Sequence, residues 1–597
     1  KVQGGKDGMA IYLSSPEGEE INNYGLILGG EDGSGVSISG IGGPDVINNF
    51  GTIRGDIKIG GLTKNLINHS EGRIEAKLIK LSENVSFDQR GVISPGGSHN
   101  ISALTFTGNY VSADTSVIET DLALNNGQTD KLVFSNNAEI KGKVKIITNN
   151  EGKAKPGNFI SEKIFDPKDK ITIDNLKLKK PVSAVGKFNY QLVDNEKNIV
   201  LLYDIDYAPD NLDINSKSLG RAVNNIQKNG NKDFESVAAE IFKIKTTNEL
   251  NNFYKQISGE VSTIQSKLFL GIIDDFHQDV FNEIDRSSIS WQERCQNNNK
   301  LFREKKVNVT NECKRLRTWF NSGRKSKFNY GSNALNQADY TSNNFYNTLG
   351  LDFLDKEKTL IGLSGRLISS SSYAKYPDFL SEGDSWGGIL YVKKEINSKT
   401  WVKASISKFD LKSNLTRNIK LKDSSVAKGK VFANGIGGSV EINNDLYSND
   451  EKSLMSRIRL SWFNLTQKAY SEYINSGNYK YALKYNSAKY ESIPFEIGLE
   501  LRKKFKRMGK RITAKLSLGK TWNLADLSRN LRASFKLADN QEFSLKGTSQ
   551  LGSFANLNTY FDIELNNSTN IYLQGSSEFA SDRDMSPTYE VGIRFVF

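Results

Sequence analysis

From about residue 316 to the end of the chain, apolar and polar side chains alternate with a period of two. Ile361, Leu363 and Leu367 oppose Gly362, Ser364 and Arg366, and Ile512, Ala514, Leu516 and Leu518 oppose Thr513, Lys515, Ser517 and Gly519. Such strands show an apolar face to one side only. Continuous apolar runs stay short, Leu268 to Ile273 being typical, so no helix of the sequence can span a bilayer. A transmembrane β-barrel escapes that limit, because alternate residues meet lipid while the others line a wet lumen. The last stretch, Thr588 to Phe597, fits this best: Tyr589, Val591, Ile593, Phe595 and Phe597 fall on one face, and Glu590, Gly592 and Arg594 on the other. The pattern predicts strands near 318, 344, 359, 385, 400, 429, 455, 488, 510, 550, 569 and 588. Twelve is an even number, as a closed single-chain bacterial barrel requires. Asp355-Lys356-Glu357 is expected as a periplasmic turn and Leu411 to Gly429 as an extracellular loop.

At 597 residues the chain calls for two or more domains. Its 37% hydrophobic content and mean hydropathy of −0.49 are compatible with a barrel for the reason just given. A net charge of +12 and a pI near 9.1 permit attraction to anionic surfaces without naming one, and no nucleic-acid partner is expected. Lys1 opens no signal peptide, so the numbering is expected to begin on a mature or truncated product.

The first part of the chain repeats one phrase: Ile21-Asn22-Asn23-Tyr24-Gly25, Ile47-Asn48-Asn49-Phe50-Gly51, Ile67-Asn68-His69, and Phe87-Asp88-Gln89-Arg90-Gly91. The starts lie 26, 20 and 20 residues apart, a solenoid period. Each phrase runs on into a short β segment, with Gly at the sharp turns. A right-handed parallel β-helix follows, with the Asn after each Ile suited to stacking as a ladder. Rungs of this kind stabilise only their neighbours, so the N-terminal end needs a cap or more rungs, and further rungs are expected upstream of Lys1. From Gly91 the phrasing changes to Gly91-Val92-Ile93-Ser94-Pro95-Gly96-Gly97-Ser98, then Leu104 to Tyr110, Asp130 to Val133 and Ile140 to Ile146. β-like runs persist to Tyr207, after which the periodicity turns helical.

Thr246-Thr247-Asn248-Glu249 is a capping box. After Ser258-Gly259, the residues Val261, Ile264, Leu268, Ile272, Phe276, Val280 and Ile284 step by three or four and mark one helical stripe. A helix over Gly259 to Asp285 reaches roughly 40 Å, more than the ~25 Å apolar band of a barrel. It can therefore traverse a lumen. Cys295 and Cys313 enclose a polar, Asn- and Lys-rich loop, and a disulfide between them fits an oxidising compartment. In the loop-entropy model it contributes roughly 3 kcal/mol. A metal site needs more soft ligands than these two.

The closing order of polar residue, Gly, aromatic and terminal Phe resembles the signal read by the bacterial outer-membrane barrel assembly machinery, which puts Glu590, Gly592, Phe595 and Phe597 in the signal positions. The Gly91 to Ile146 phrases and Gln256-Ile257-Ser258-Gly259-Glu260-Val261 are likewise similar to monomeric autotransporters of Gram-negative bacteria, the type Va secretion system. The resemblance covers nearly the whole chain. It implies a mainly β protein: a passenger fragment at 1–207 with an autochaperone-like cap at 91–147, a helical linker at 208–258, a plug helix and disulfide loop at 259–315, and a barrel translocator at 316–597. It further implies an outer-membrane barrel, a passenger on the cell surface, and partners in the assembly machinery, periplasmic chaperones, outer-membrane lipid and a host surface ligand. No cofactor, metal or catalytic residue is expected. An adhesin is the expected passenger activity; the alternative is a secreted enzyme, protease or esterase, whose catalytic domain precedes Lys1. A porin-like channel is disfavoured by the plug helix.

Three motifs are set aside. Ala514 to Thr521 satisfies a relaxed phosphate-loop pattern but alternates straight through, where a strand, turn and helix are needed. Gly383-Asp384-Ser385-Trp386 is similar to an esterase nucleophile block; it is expected at a barrel turn, and His69, His99 and His277 all belong to other domains. His277 is expected as a hydrogen-bonding residue of the lumen. Asn224-Asn225 is similar to the paired Asn at which some autotransporters clip themselves, but its surroundings do not match and it lies well upstream of the plug helix.

Overall fold

Short β segments rich in Ile and Leu, broken every few residues by Gly or Asn, cannot bury a face alone and stack on their own successors. In the computed structural model, three parallel sheets of eight, seven and seven strands take one strand from each coil of the chain, which is a parallel β-helix. The structure describes all residues except 31–32, 62–64, 83–84, 305–315, 330–338, 355–358, 376–377, 422–423, 450, 475–478, 526–529, 548–551, 567, 581–582 and 597, and the side chains of 86, 286–304, 354 and 583–584. One interior column runs Ile27, Ile53, Ile74, Ile93, Ile118, Val144, Leu178 in strict register. The described residues divide into two compact units, 1–212 with 220–251, and 213–219 with 252–597.

The repeat register differs from the one the phrases suggest. Ile47 pairs with Leu66, not Ile67, so Asn49 lies over Asn68. The reason is a buried amide ladder that takes the second Asn of the first two phrases, the single Asn of the third and the Gln of the fourth: Asn23 Nδ2 donates to Asn49 Oδ1 at 2.7 Å, Asn49 Nδ2 to Asn68 Oδ1 at 2.7 Å, and Asn68 Nδ2 to Gln89 Oε1 at 2.9 Å. Amides buried at 0 to 7% exposure must find partners, so the ladder fixes the spacings at 26, 19 and 21. The first Asn makes an outer link instead, Asn48 donating to Asn22 at 3.0 Å.

Toward the end of the solenoid the interior becomes aromatic. Phe87, Phe106, Tyr110, Phe134 and Phe165 pack with ring centroids 5.0 to 6.5 Å apart. The β runs before Tyr207 are not further rungs: Gly157–Lys163, Asn198–Ile205 and Gly186–Val193 form a separate antiparallel sheet. The helices Ile214–Lys228, Glu235–Phe242 and Thr247–Ser258 follow.

Twelve long antiparallel strands then close on themselves. They are β1 (Leu316–Asn329), β2 (Tyr340–Leu354), β3 (Thr359–Ala374), β4 (Phe379–Glu395), β5 (Thr400–Ile419), β6 (Ser425–Ser448), β7 (Lys452–Gln467), β8 (Pro494–Arg507), β9 (Lys510–Asn523), β10 (Ser553–Asn566), β11 (Thr569–Ala580) and β12 (Arg583–Val596). β12 pairs with β1 to seal the ring. The outward residues are apolar and exposed, as at Leu349, Leu367, Leu390, Ile406 and Leu518, which is the arrangement lipid requires. The connections at the end where β12 finishes are all short, and the longest, 468–493 and 524–552, lie at the other, the asymmetry of periplasmic turns and outer loops.

Three expectations change here. Leu411 to Gly429 is mostly strand, because β5 and β6 stay paired as far as Ile419 and Ser425. Gly383 to Trp386 lies inside β4, not at a turn. The eighth strand begins at Pro494, whose missing N–H separates it from the short strand Ala488–Ser492. The turn at 355–357 lies outside the described residues.

Candidate functional site

The barrel is filled by one helix, Ile264–Glu304, 41 residues long. It is preceded by a turn of 3-10 helix at Glu260–Thr263 and by Gly259 at φ 68°. It therefore starts later and ends much later than the span 259–285. Residues 295–304, expected as loop, are helical; Cys313 and the pairing of Cys295 with it lie outside the described residues.

Of the predicted stripe, Val261, Ile264, Ile272, Phe276, Val280 and Ile284 are buried and Leu268 is half-buried. The helix buries Phe269, Ile273, His277 and Phe281 as well, so the seat is wider than one stripe. It leans on β4 to β7. Gly435 and Gly437 on β6 make the close approach feasible: a Cβ at Gly435 would stand 2.5 Å from Ile273 Cδ1, and one at Gly437 3.1 Å from His277 Nε2. Both ring nitrogens of His277 are engaged, with Ser405 Oγ and Ser407 Oγ at 2.7 Å each. Phe276 meets Phe409 edge-on at 5.7 Å.

The helix's acids face cations of the wall. Asp275 pairs with Lys325 at 2.5 Å, Asp279 with Arg366 at 2.8 Å, Glu283 with Arg317 at 3.1 Å and Arg594 at 3.4 Å, and Asp285 with Lys403 at 2.7 Å. Asp274 lies 3.9 Å from Arg459. These cations come from β1, β3, β5, β7 and β12, so the charges index the helix around the ring. Against β8 to β11 the helix leaves a cavity of about 280 Å³, lined by polar groups such as Glu496, Glu500, Lys515, Asn556 and Glu578. Ala514 to Thr521 is plain strand within β9.

At the outer mouth the long connections build a small antiparallel sheet from Tyr470–Ser471, Leu483–Tyr485, Asn530–Phe535 and Glu542–Lys546. Nothing in the alternation pattern announces it. Buried Arg417 joins this sheet to the chain entering the lumen. Its guanidinium pairs with Glu472 at 2.5 Å and donates to the Tyr481 carbonyl at 3.1 Å and the Gln256 carbonyl at 2.7 Å. Tyr485 packs directly over Gly259, where a Cβ would meet its hydroxyl at 2.1 Å, and that hydroxyl lies 3.2 Å from Ser262 Oγ. The segment Gln256 to Val261 is thus held by side chains more than a hundred residues away.

On the closing strand, Glu590 points into the lumen and accepts a hydrogen bond from Tyr346. Gly592 lies under the Tyr572 ring, its would-be Cβ 2.3 Å from that hydroxyl. Phe595 faces outward, 6.3 Å from Phe320, and Phe597 lies outside the described residues. Asn224, on the helix Ile214–Lys228, ties that helix to the end of the antiparallel sheet, accepting from the Tyr207 N–H at 2.9 Å and donating to Asp206 at 2.8 Å.

The cap rungs carry an ionic network. Glu119 accepts from Arg73 at 2.6 Å, from Lys145 at 2.8 Å and from Ser98. Burial acts to raise its carboxyl, but these donors outweigh it and hold the group at about 2. Asp130 is the opposite case: burial pushes it up to about 8, against the N–H groups of Asp121 and Ser102, with the charges of Asp121 and Glu119 adding to the rise.

Residues 322–576 match the family model described as Autotransporter beta-domain. Among solved structures the chain is similar to the translocator domain of the autotransporter NalP from Neisseria meningitidis, at 13% identity, covering 52% of this chain and 97% of that one with a TM-score of 0.36. It is also similar to the beta domain of the Bordetella autotransporter Brka (12% identity, 47% and 99% covered, TM-score 0.34). The transport unit of AIDA-I from Escherichia coli gives 12% identity, 49% and 93% covered, and a TM-score of 0.30. No curated protein matches the chain.

Proposed function

We propose, from a barrel that matches the autotransporter β-domain model over residues 322–576, that this chain exports its own β-helical segment and displays it on the cell surface as an adhesin. The observation that carries the reading is a single covalent path: the solenoid runs through three helices into a lumen-filling helix that the wall grips by both charge and shape. No nucleotide is present outside the inner membrane, so the energy of export comes from folding. The assembly machinery holds the barrel open at its closing strand, reading Glu590, Gly592, Phe595 and Phe597, after periplasmic chaperones have delivered the chain. Passenger hairpins cross, and rungs then stack outside on the aromatic cap at 91–147, each rung stabilising the next. The helix 264–304 remains as the plug, and a Cys295–Cys313 disulfide secures the chain where it leaves the lumen.

The passenger acts by binding. A solenoid offers long flat flanks, and the surface amide and aromatic rows, with Asn22 and Tyr24 exposed and Asn48 and Phe50 half-buried, supply hydrogen-bonding and apolar contact side by side. Its ligand is a host surface molecule. The export role is tested by Phe597→Ala and by deletion of the closing strand. Both lower the amount of heat-modifiable barrel in outer-membrane fractions and of passenger on intact cells. Wild-type levels of both would refute the assignment of the closing residues.

A further inference from the structure

β5 and β6 contain 20 and 24 residues, whereas about ten tilted residues cross an apolar layer. Both strands therefore continue well beyond the membrane on the exterior side. On β6 the outward series Ile442, Val440, Ile436, Phe432 gives way to Lys430 and Lys428. On β5 the outward series Val402, Ala404, Ile406 gives way to Lys408, Asp410 and Lys412. The register sets Lys412 against Phe432, Asn414 against Lys430 and Thr416 against Lys428. Lys468, just past β7, joins the group, its N–H bonded to the Phe432 carbonyl at 2.9 Å.

Lys412, Lys428, Lys430 and Lys468 thus form one patch above the outward ring of Trp386, Phe432 and Trp462. Among the described residues none of the four ammonium groups is paired with a carboxylate; Lys430 lies 5.9 Å from the Phe432 ring. The acids on the same face are Asp410, Glu382, Asp384 and Glu491; Asp384 accepts from Ser369 at 2.6 Å and Glu491 from Trp462 at 2.6 Å. Lysines of like charge on adjacent strands repel, and an external anion offsets that repulsion. Directly beneath the patch lie Ile406, Ile436 and Val440, which take acyl chains. An anion above and an apolar surface below, on one continuous face, match an amphipathic molecule and not a soluble ion.

We propose that this patch is a binding site for a phosphate-bearing lipid of the outer leaflet, with the lysines on its headgroup phosphates and its acyl chains on the β5–β6 apolar face. Basic clusters at a membrane surface hold anionic headgroups in this way. The test uses the full chain folded into phosphatidylcholine vesicles containing lipid A. The protein is then extracted in mild detergent, and the lipid A retained per chain is measured by native mass spectrometry. Wild type retains lipid A. The variant K412Q/K428Q/K430Q/K468Q is expected to retain at least roughly tenfold less, while the corresponding Lys→Arg variant retains it, which separates loss of charge from misfolding. Gln substitutions at Lys503 and Lys506, at the other end of β8, leave retention unchanged. Displacement by millimolar inorganic phosphate would identify a phosphate site without lipid selectivity and overturn the proposal. So would equal retention of dephosphorylated lipid A, or wild-type retention by the Gln variant.

Discussion

Lys403 is the sharpest point at which to test how the lumen helix is held. Its ammonium is buried at 1% exposure and serves two carboxylates, Asp285 on the helix and Glu441 on β6, at 2.7 Å each. Replacing it with Met strands both. Removing one member of a buried pair costs about 3–5 kcal/mol, but only part of that bears on the helix. Glu441 stays in the wall wherever the helix goes and keeps Asn443 as donor at 2.9 Å; Asp285 leaves with the helix and regains water. Lys393, 3.9 Å away, compensates a little. The lower end, about 3 kcal/mol, is therefore the relevant figure, a shift of roughly a hundredfold toward the open state. The assay is single-channel conductance of the full chain in planar bilayers under increasing urea. Lys403→Met opens at lower urea than wild type. Lys403→Met with Asp285→Asn recovers most of the difference, because no unpaired helix charge remains. An unchanged opening midpoint, or a double variant as leaky as the single, refutes the electrostatic seat.

Gly435→Val places side-chain atoms where Ile273 now packs; the barrel should insert normally, and bilayer recordings should show raised basal conductance. Phe106→Ala removes a ring buried at 1% among three aromatic neighbours and costs about 3–5 kcal/mol. Surface passenger should become protease-sensitive on intact cells while the barrel stays heat-modifiable. The solenoid's stability should also depend on pH in two opposite ways. Glu119, held at about 2 from 4.5, contributes stability above the unfolded value that is lost as pH falls through that window. Asp130, raised to about 8 from 3.8, binds its proton more tightly when folded, so stability falls as pH rises between those values. The urea midpoint of the passenger should be higher at pH 5 than at pH 8, and Asp130→Asn should flatten that slope.

Local period was enough to read the barrel. All twelve strands begin within six residues of the expected place, the fourth, eighth and twelfth being the furthest off, because lipid on one side and water on the other constrain the alternation. The lumen helix showed itself through its apolar spacing for the same reason. What spacing could not reveal depends on partners far along the chain. Glu283 meets Arg594 across 311 positions, and no window of sequence links them. Gly435 and Gly437 look like ordinary strand glycines until a helix is laid against them. The lid sheet hides in connections whose strands are only two to six residues long. The solenoid register slipped by one because Ile67-Asn68 copies the phrase Ile47-Asn48 in letters, whereas the buried amide that must be satisfied is Asn49. Neither terminus of the 41-residue helix coincides with the limits of its stripe, since backbone hydrogen bonds carry a helix on without an apolar face.

The amide ladder tolerates coils of 26, 19 and 21 residues without losing its place. Length can therefore vary between anchor points while the stack stays aligned, much as pages of unequal width share one spine. A surface organelle built this way can alter the loops it shows to antibodies and receptors by insertion or deletion, and the core beneath never has to be reinvented.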